Sequence, residues 1–404
     1  MSDILYLVHR LPYPPDKGDK VRSYHLLRYL AQRHRVFLGT FVDDPADTIH
    51  VATLQQWCVE IHAEPLSPIA ARLRSLSGLL NGQPLTLPYY QNRKLQSWVD
   101  RICAAENIDL AVVFSAAMAQ YLDQHAALPA LVDFVDVDSA KWTQYGALHR
   151  WPLSWLYRRE GIRLLRFERR LASVSRRSFF VTEREAELFR SLAPETASSI
   201  EVLNNGVDCE YFSPDISLAD PFADGEKAIV FTGAMDYWPN IDAVIWFVRD
   251  IFPLVRAELP AARFYIVGRD PVSAVRKLAG ESVVVTGTVT DVRPYLRHSA
   301  VVVAPLRIAR GIQNKVLEAM AMGCTVVGTE ACMAAIDARE GSEMFHAGTA
   351  DKFAELVVRL VADLSTRDEI GRAARAQVVR RYGWEANLAK IEQYFFFEDK
   401  KVEQ

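Results

Sequence analysis

Short apolar runs alternate with longer amphipathic segments along the whole chain. The runs are rich in Val, Ile, Leu and Phe, as in strands buried on both faces, and the segments between them repeat apolar residues with a helical period. This alternation is typical of parallel sheets joined by crossover helices. Strands are predicted at residues 4–8, 36–41, 110–114, 131–135, 179–181, 201–203, 228–231, 264–267, 283–285, 301–304 and 325–327. The expected fold class is α/β, with two doubly wound, Rossmann-like domains.

The periodic pattern breaks at residues 204–215. Gly206 can adopt a positive φ angle there, and the following residues fit neither a helix nor a strand. With 404 residues, the chain is also too long for one ordinary domain. We therefore expect an amino-terminal domain over residues 1–208 and a carboxy-terminal domain over residues 209–404. The last helix is predicted near residues 384–397.

Composition narrows the range of functions and compartments. The net charge of -3 argues against a general nucleic-acid binder. Five cysteines are scattered without metal-binding spacing, which indicates core residues in a reducing compartment. The first apolar run is too short for a signal peptide, and no run approaches the length of a membrane span. We expect a cytoplasmic protein that binds no nucleic acid.

Residues 310–323, RGIQNKVLEAMAMG, carry the most chemical information. They follow the predicted strand at 301–304 and join a glycine loop to a helix. Asn314 is the expected N-cap, so the free amides and the positive end of the helix dipole would face a ligand at the carboxyl edge of the sheet. Glu318, among small and apolar residues, suits the two hydroxyls of a ribose. The alternative is an ordinary strand-to-helix turn with a surface glutamate.

A second loop follows the first strand and reads PYPPDKGDKVRSYH at residues 12–25. Its basic residues Lys17, Lys20 and Arg22 flank Gly18, which would let the backbone approach an anionic ligand closely. The loop is not GxGxxG, so the nicotinamide-binding fingerprint is absent. The alternative is that the prolines stiffen a turn while the basic side chains stay solvated.

Asp136 and Asp138 follow the predicted strand at 131–135. Two acids can contribute to a metal site, but no His or third acid with suitable spacing accompanies them, so no metal cofactor is expected. We expect Asp136 to hydrogen-bond a polar substrate. The alternative is that Asp138 or Ser139 caps the following helix.

Residues 141–177 contain ten Lys or Arg and two acids, Glu160 and Glu168, interleaved with aromatic and aliphatic side chains. Such a helix can lie on an anionic membrane surface. It can equally be a domain helix whose apolar face is buried while the arginines extend to solvent. The buried interpretation is favoured for the apolar face, and the arginine face is a candidate membrane contact.

Several motifs together resemble one known family. They are VTEREAELFR at 181–190, LNNGVDCEYFSP at 203–214, GTEACMAAI at 328–336 and RRYGWEANL at 380–388. The combination resembles the retaining glycosyltransferases of family 4, which have the GT-B fold, over nearly the whole chain. More narrowly, residues 14–25, 133–142 and 309–323 resemble the bacterial sugar transferases associated with exosortase/PEP-CTERM exopolysaccharide loci.

The resemblance implies two domains that face each other across a cleft, with the last helix returning to the amino-terminal domain. The carboxy-terminal domain would bind a nucleotide-sugar donor, and the amino-terminal domain a saccharide acceptor, which can be linked to a polyprenyl lipid. The implied reaction is hexosyl transfer with retention, in exopolysaccharide or cell-surface glycan biosynthesis. It would take place in the cytoplasm or at the inner face of the plasma membrane, without a metal.

The same resemblance assigns roles to individual residues. Glu318 would bind the ribose. Asp136 is our own candidate, from its place after a strand, for orienting the donor sugar or the acceptor hydroxyl. Gly18, with Arg22 in the same loop, would approach from the amino-terminal domain. The other implied donor contacts are Gly233 near the diphosphate, Gly268, Arg269 and Val289 beside the base, and the loop residues Gly311, Ile312, Gln313, Asn314 and Lys315.

The chain departs from the family pattern at two places. The family commonly has two glutamates eight positions apart, and Arg310 stands at the first position. The basic residues that usually bind diphosphate in the loop at 233–240 are absent. Because a diphosphate leaving group needs counter-charge in a dry cleft, we infer that Arg307, Arg310 and Lys315 supply it.

Two other functions remain open at this point. A sugar-nucleotide epimerase of the same architecture would need acid and base groups at the hexose, for which Asp136, Asp138 and His9 are the candidates. A non-catalytic nucleotide-sugar-binding protein is suggested by the missing first glutamate.

Overall fold

A computed structural model describes residues 1–15, 18–215, 217–309, 312–334 and 336–395. The chain divides into two compact units. Unit 1 comprises Met1–Asn205 together with the described residues from Asn387 onward, and unit 2 comprises Gly206–Ala386. Each unit is built on a single parallel sheet with helices between successive strands.

The sheet of unit 1 has seven strands in the order β3-β2-β1-β4-β5-β6-β7. Every pairing in it is parallel. The strands are β1 Asp3–Val8, β2 Arg35–Val42, β3 Glu60–Pro65, β4 Leu110–Phe114, β5 Ala130–Val135, β6 Arg177–Phe180 and β7 Ile200–Val202. The α-helices are α1 Gly18–Ala31, α2 Val51–Leu54, α3 Pro68–Ser75, α4 Ser77–Leu80, α5 Thr86–Tyr89, α6 Arg93–Ala105, α7 Asp138–Leu148, α8 Leu153–Val174 and α9 Glu183–Leu192.

The sheet of unit 2 has six strands in the order β10-β9-β8-β11-β12-β13. They are β8 Lys227–Thr232, β9 Ala262–Val267, β10 Val283–Gly287, β11 Val301–Ala304, β12 Val326–Gly328 and β13 Phe345–His346. The α-helices are α10 Trp238–Trp246, α11 Phe252–Glu258, α12 Ser273–Arg276, α13 Arg293–Arg297, α14 Asn314–Ala321, α15 Glu330–Met333, α16 Ala350–Ala362 and α17 Leu364–Tyr382. The last helix, α18 Trp384–Glu392, begins in unit 2 and ends in unit 1. A π-helical turn, Phe247–Ile251, joins α10 to α11.

Both sheets are doubly wound, as the alternation of apolar runs predicts. In each, the first strand of the unit lies in the middle, the second and third strands lie on one side, and the fourth and later strands lie on the other. The inner strands are almost wholly buried because helices cover both faces: β1 is buried from Ile4 to Val8, and β11 along its whole length. The predicted α/β class with two Rossmann-like domains is confirmed.

The last described residues pack on unit 1. Asn387 donates a hydrogen bond to the carbonyl of Asn205 (3.3 Å), and the Arg176 guanidinium donates to the carbonyl of Phe395 (3.4 Å). The Phe395 ring is buried and lies 4.8 Å from the ring of His34. The helix predicted at residues 384–397 is shorter in the structure and ends at Glu392.

Two strands were not predicted from the sequence, and both lie at sheet edges. β3 reads EIHAEP, with two glutamates, a histidine and a proline, and pairs only with β2. β13 is two residues long. An edge strand needs no continuous apolar run because one of its sides has no strand partner, so its sequence does not stand out. The strands predicted at 179–181, 201–203 and 325–327 are displaced by one or two residues.

Candidate functional site

The carboxyl ends of the central strands of unit 2 bring most of the predicted donor residues together. β8 and β11 are neighbours in the sheet, and their following connections run to opposite sides, since β9 pairs with the far side of β8 and β12 with the far side of β11. Open α/β sheets bind ligands in the crevice that forms at such a switch point. The loop before α10 and the loop before α14 both start at this crevice.

Backbone hydrogen bonds join the loop after β8 to the loop after β9. The amide of Gly233 donates to the carbonyl of Val267 (3.0 Å), and the amide of Met235 donates to the carbonyl of Arg269 (2.8 Å). A Cβ atom on Gly268 would lie 1.7 Å from the Gly233 oxygen, so only glycine fits at this position. The two predicted glycines therefore shape the floor of the crevice.

Lys315 extends from α14 to the loop after β8. Its ammonium donates a short hydrogen bond to Oδ1 of Asn240 and lies 4.5 Å from the centroid of the Phe231 ring. A Cβ atom on Gly233 would lie 2.8 Å from the same nitrogen. The 233–240 loop contains no basic residue, but the structure brings a lysine to it from α14.

Asn240 is a site residue that the sequence analysis missed. Its side chain is buried, accepts from Lys315 and donates through Nδ2 to the carbonyl of Ala234 (2.8 Å). The amide thus fixes both the lysine and the loop. Lys315 and Asn240 are 75 positions apart, and no local pattern connects them.

The start of α14 corrects one prediction. Asn314 is not the N-cap but the first helical residue, and its side chain is exposed. Gln313 occupies the N-cap position, where its carbonyl accepts from the amides of Val316 (2.9 Å) and Leu317 (3.3 Å). The first amides of α14 still face the carboxyl side of β11, which favours an anion there.

Of the other predicted donor contacts in the loop before α14, the structure describes only Ile312. Ile312 packs against the core of unit 2. Arg310 and Gly311 lie outside the described residues, so their predicted roles rest on the sequence.

Glu318 lies on α14 between buried apolar neighbours, Leu317 and Ala319. Within the described parts of the chain, no group donates a hydrogen bond to its carboxylate. Burial raises the pKa of Glu318 to about 7, although the positive charge of Lys315 acts in the opposite direction. Burial likewise lowers the pKa of Lys315 to about 8. A carboxylate that accepts no hydrogen bond from a described residue and a lysine therefore lie within electrostatic range of each other on one side of α14.

A second cluster near Glu318 was also missed. Arg293 lies over the ring of Tyr211, 3.8 Å from its centroid, and donates to the Tyr211 carbonyl (3.2 Å). The same guanidinium pairs with the carboxylate of Asp291 (2.7 Å). Burial raises the pKa of Tyr211, and the negative charges of Asp291 and Glu318 act in the same direction. The half-exposed tyrosine is therefore an electrostatic neighbour of the predicted ribose ligand.

An open cavity of about 460 Å³ lies at the carboxyl ends of β9 and β10. Asp270, Arg276 and Gly287 are among its lining residues. Two predicted base contacts flank these strand ends. Arg269 is exposed, without an ion pair or side-chain hydrogen bond to any described residue, and Val289 is partly buried against the core.

Arg307, predicted to face the diphosphate, is paired in the structure. Its guanidinium forms two hydrogen bonds to the carboxylate of Asp242 on α10, one of 3.0 Å and one shorter, and lies 5.6 Å from the centroid of the Trp246 ring. About half of the Arg307 side chain is exposed. It contributes a charge near the crevice whose field is partly cancelled by Asp242.

In unit 1 the structure corrects the interpretation of Arg22. This side chain is only 1% exposed, and its guanidinium forms a bidentate pair with Asp133 on β5 (2.7 and 3.0 Å). Its third bond goes to Oδ1 of Asn205 (3.0 Å). Arg22 therefore joins α1 to the sheet and is not available to bind a substrate.

The structure also shows where the other described residues of the amino-terminal loop lie. Lys20 is equally buried and pairs with Asp47 (2.5 Å), so it is not an anion ligand either. Gly18, the first residue of α1, is exposed, and a Cβ atom there would meet nothing within 4 Å. Lys17 lies outside the described residues.

Asp136 lies directly after β5, at the carboxyl edge of the unit 1 sheet. Its carboxylate pairs with the ammonium of Lys141 (2.8 Å), which also pairs with Asp138 (3.1 Å). Burial alone would lower the pKa of Lys141, but Asp138 and Asp136 raise it overall. Neither Asp138 nor Ser139 caps α7, since Asp138 is its first residue and the N-cap side chain makes no bond.

Neither a metal cluster nor a membrane-spanning helix occurs among the described residues. In the part of the chain that the structure describes, no group of three or more His, Cys, Asp or Glu is arranged to hold a metal ion. No helix within the same ranges combines the length and apolar character needed to span a bilayer.

Residues 226–363 match the sequence profile of a family described as "Glycosyl transferases group 1". This range contains all six strands of unit 2, the crevice and α14. Unit 2 is similar in sequence to the group 1 glycosyl transferases. Among curated proteins, none matches the chain significantly.

Solved structures resemble the chain over nearly its full length. The Alr3699/HepE protein of Anabaena, in complex with UDP, is 16% identical with a TM-score of 0.61, covering 97% of this chain and 98% of that one. The sucrose-phosphate synthase tll1590 of Thermosynechococcus elongatus is 16% identical, with a TM-score of 0.61 and 98% coverage of both chains. TarM is 12% identical with a TM-score of 0.63, covering 98% and 99%. At these identities the likeness establishes the fold, which matches that of GT-B glycosyltransferase structures.

Some of these structures contain ligands. HepE has been crystallised with UDP-glucose as well as with UDP. A structure of TarM from S. aureus contains UDP with Fondaparinux and α-GlcNAc-glycerol.

Proposed function

We propose that the protein is a glycosyltransferase that uses a nucleotide-sugar donor bound by unit 2. The observation that carries this proposal is that Glu318 and Lys315 lie within electrostatic range of each other on α14, beside glycine loops at the switch point of the sheet. The similarity of residues 226–363 to group 1 glycosyl transferases supports it. So does the nucleotide found in HepE and TarM structures of the same fold.

The diphosphate of the donor would lie at the start of α14. The first amides of the helix and the Lys315 ammonium supply positive potential there, and the missing side chain of Gly233 lets the Lys315 ammonium and the Asn240 amide approach the loop backbone. Arg310 precedes the helix in the same loop of the sequence and would add positive charge. Arg307 would contribute less, because the Asp242 carboxylate partly neutralises it. Lys315 thus performs the neutralisation that a basic residue of the 233–240 loop performs in the resembling family.

The nucleoside would extend from α14 toward the ends of β9 and β10. Two oxygens of Glu318 can accept hydrogen bonds from the two ribose hydroxyls, which replaces the water that the partly buried carboxylate would otherwise need. The base would lie against Gly268, Arg269 and Val289, near the open cavity at these strand ends. The exposed Arg269 side chain offers donors to a base or a phosphate.

The reaction we propose is sugar transfer with retention of the anomeric configuration. Heterolysis of the anomeric bond creates an oxocarbenium-like centre and a nucleoside diphosphate anion, so stabilisation of the leaving group by Lys315 and the α14 amides would contribute most to catalysis. The Asp136 carboxylate, held by Lys141, would orient an acceptor hydroxyl or the donor sugar. No step requires a metal ion.

The acceptor we propose is a saccharide, in a form linked to a polyprenyl lipid. The protein would then act in exopolysaccharide or cell-surface glycan biosynthesis, in loci of the PEP-CTERM type, at the cytoplasmic face of the plasma membrane. The sequence motifs shared with that group of transferases support this context. The donor sugar would be a hexose.

A transfer assay tests the proposal. The protein is incubated with UDP-, GDP- or ADP-hexoses, with and without a lipid-linked saccharide, and the products are analysed by mass spectrometry and by NMR of the new anomeric proton. We expect release of nucleoside diphosphate and a retained linkage only when the acceptor is present. Conversion of the donor to another sugar without acceptor would identify an epimerase instead. Tight nucleotide binding with no turnover on any acceptor tested would favour a non-catalytic binding protein.

A further inference from the structure

Two consecutive helices of unit 1, α3 and α4, expose apolar side chains on the same side. Residues 68–80 are helical almost throughout, in α3 and α4, and Leu76 between them keeps helical backbone angles. Four exposed side chains, Ile69, Leu73, Leu76 and Leu80, lie at spacings of four, three and four, which puts them on one side of this helical segment. Leu80 is 93% exposed and Ile69 73% exposed. We call these four residues the leucine stripe.

α8 and the turn before it carry a second such row. Trp151, Trp155 and Ile162 are exposed at spacings of four and seven, with Trp151 81% exposed. Arg158, Arg163 and Arg166 lie on the same helix. These three arginines and the three apolar residues line an open groove of about 440 Å³. None of these three arginines forms an ion pair or hydrogen bond with a described residue. We call these six residues the arginine–tryptophan face.

Hydrogen bonds hold the two surfaces together. Arg159 of α8 donates to the carbonyls of Gly78 (2.6 Å) and Gln83 (3.2 Å), directly beside the end of the leucine stripe. The buried carboxylate of Glu160 accepts from the amides of Leu85 (2.6 Å) and Thr86 (3.0 Å). Because these bonds involve both ends of the connection from α4 to α5, that connection is fixed on α8 and the two surfaces adjoin.

The acids of other elements that pair with α8, Glu195 and Asp123, bind Arg169 and Arg170 and not the three arginines of the arginine–tryptophan face. Residues 65–99 contain no Asp or Glu, and residues 141–177 contain only Glu160 and Glu168. Both glutamates are 1% exposed and accept hydrogen bonds inside the unit, Glu168 from the amide (3.2 Å) and hydroxyl of Ser139. The exposed side is therefore apolar, aromatic and cationic.

We infer that the leucine stripe and the arginine–tryptophan face together form a docking surface for an anionic phospholipid bilayer. Exposed apolar and indole side chains gain free energy by entering the interfacial region of a bilayer, while unpaired guanidinium groups are attracted to anionic headgroups. Large contiguous apolar patches are unusual on a protein that stays in water. A second copy fits this surface less well, because in a two-fold contact both copies present the same cationic surface and neither supplies an acid to the arginines. The surface lies wholly in unit 1 and does not depend on the donor site.

Vesicle sedimentation with the full chain tests this assignment. We expect the protein to sediment with vesicles of phosphatidylcholine and phosphatidylglycerol, to remain unbound with phosphatidylcholine alone, and to be released in part by added salt. The double variant Arg158→Gln/Arg166→Gln should bind about 10- to 30-fold more weakly, the scale set by the attraction of each surface arginine to anionic lipid. Leu73→Ser/Leu80→Ser should weaken binding by about 10-fold or more, because two leucines no longer enter the bilayer.

A matched control variant removes two arginine charges outside the proposed docking surface. Arg184 on α9 and Arg249 in unit 2 are exposed, and Arg184→Gln/Arg249→Gln should bind vesicles like the unmodified protein. Melting temperatures and UDP affinity, measured in parallel, should be the same in all variants. If the unmodified protein binds none of UDP, GDP and ADP, the proposed donor site is contradicted while the docking surface is unaffected.

Three results would overturn the docking surface. The first is vesicle binding that neither double variant weakens. The second is equal binding to neutral and anionic vesicles. The third is the absence of binding to anionic vesicles. A concentration-dependent dimer that Leu73→Ser/Leu80→Ser abolishes would then identify a second copy as the occupant.

Discussion

At the scale of single residues, the proposed donor site of unit 2 contains two groups whose pKa values are displaced by the same cause. Burial raises the pKa of Glu318 to about 7 and lowers the pKa of Lys315 to about 8. Each group is thereby less stable in its charged form than it would be in water. Such displaced groups are frequent at functional sites, where a bound ligand supplies the interactions that the free protein lacks.

The first prediction concerns the stability of Glu318→Gln. The folded pKa lies above the unfolded value of about 4.5, so the native state binds the proton more tightly, and the unfolding free energy falls as pH rises from about 5 to 7. Above pH 7 the full penalty of the buried charge remains. Replacement by the neutral amide should therefore raise the unfolding free energy at pH 8 by roughly 1–2 kcal/mol and leave it nearly unchanged at pH 5. Denaturant titration at the two pH values measures this difference. A variant that is less stable at pH 8 would show that the carboxylate stabilises the fold.

The second prediction concerns the pH dependence of nucleotide binding. The Lys315 ammonium loses its proton near pH 8 in the free protein, whereas a diphosphate requires it charged. UDP affinity should therefore fall as pH rises from 7 to 9.5, by at most about tenfold per pH unit above the pKa for one linked proton. Lys315→Arg keeps its charge over this range and should bind UDP with a flatter profile. Calorimetric titrations across the pH range provide the measurement, and an equally steep profile in the arginine variant would exclude Lys315 as the titrating group.

The residue scale also shows where sequence reasoning reaches its limit. Glu318 could be found because a lone carboxylate in a run of small and apolar residues is a local signal. Asn240 and Tyr211 could not, since their partners lie 75 and 82 positions away in the chain. Arg22 was assigned wrongly for the same reason: a basic residue after a glycine loop has the same local pattern whether it faces a ligand or a carboxylate 111 positions away.

At the scale of elements, the Arg22–Asp133 pair fixes α1 against β5. Both side chains are nearly inaccessible, and the guanidinium satisfies both carboxylate oxygens. Breaking such a pair is expensive because it leaves an unpaired charge in the interior, whereas replacing both partners removes the charge altogether.

The third prediction follows from this asymmetry. Arg22→Met should lower the unfolding free energy by about 3–5 kcal/mol, the scale for an uncompensated buried charge. The double variant Arg22→Met/Asp133→Leu should recover most of the loss. Thermal and chemical denaturation of both variants, with UDP affinity as an independent readout, tests the pair. A single variant with normal stability but impaired acceptor use would return Arg22 to the role first predicted from the sequence.

The sequence predicted some strands better than others, and the extent to which each strand is buried explains the difference. Central strands such as β1, β8 and β11 are covered by helices on both faces, so their continuous apolar runs are conspicuous. β3 has one unpaired side, and its polar sequence has no strand signature. The start of α14 was predicted within one residue, but its N-cap was not, because the backbone of Gln313 and not a side chain begins the helix.

At the scale of the whole molecule, two units of the same topology carry different surfaces. Unit 2 presents the glycine loops, Lys315 and Glu318 at its carboxyl edge, and unit 1 presents the leucine stripe and the arginine–tryptophan face. The sequence indicated that the arginines of residues 141–177 could contact a membrane, but it did not indicate the leucine stripe. The apolar spacing of the stripe is equally typical of the buried side of a helix. A donor site in one unit and a lipid-binding surface in the other would suit a transferase whose acceptor is attached to a membrane.

The central claim is that Glu318 binds the ribose of a nucleoside diphosphate, and calorimetry tests it most directly. UDP, GDP and ADP are titrated into the unmodified protein, into Glu318→Ala and into Glu355→Ala, whose glutamate is exposed on α16 of the same unit. At least one nucleotide should bind the unmodified protein and Glu355→Ala equally, and should bind Glu318→Ala more weakly by about 1.5–3 kcal/mol, the range for hydrogen bonds to a charged group. Equal affinity of Glu318→Ala for every nucleotide that binds, or the absence of binding by all three, would contradict the account.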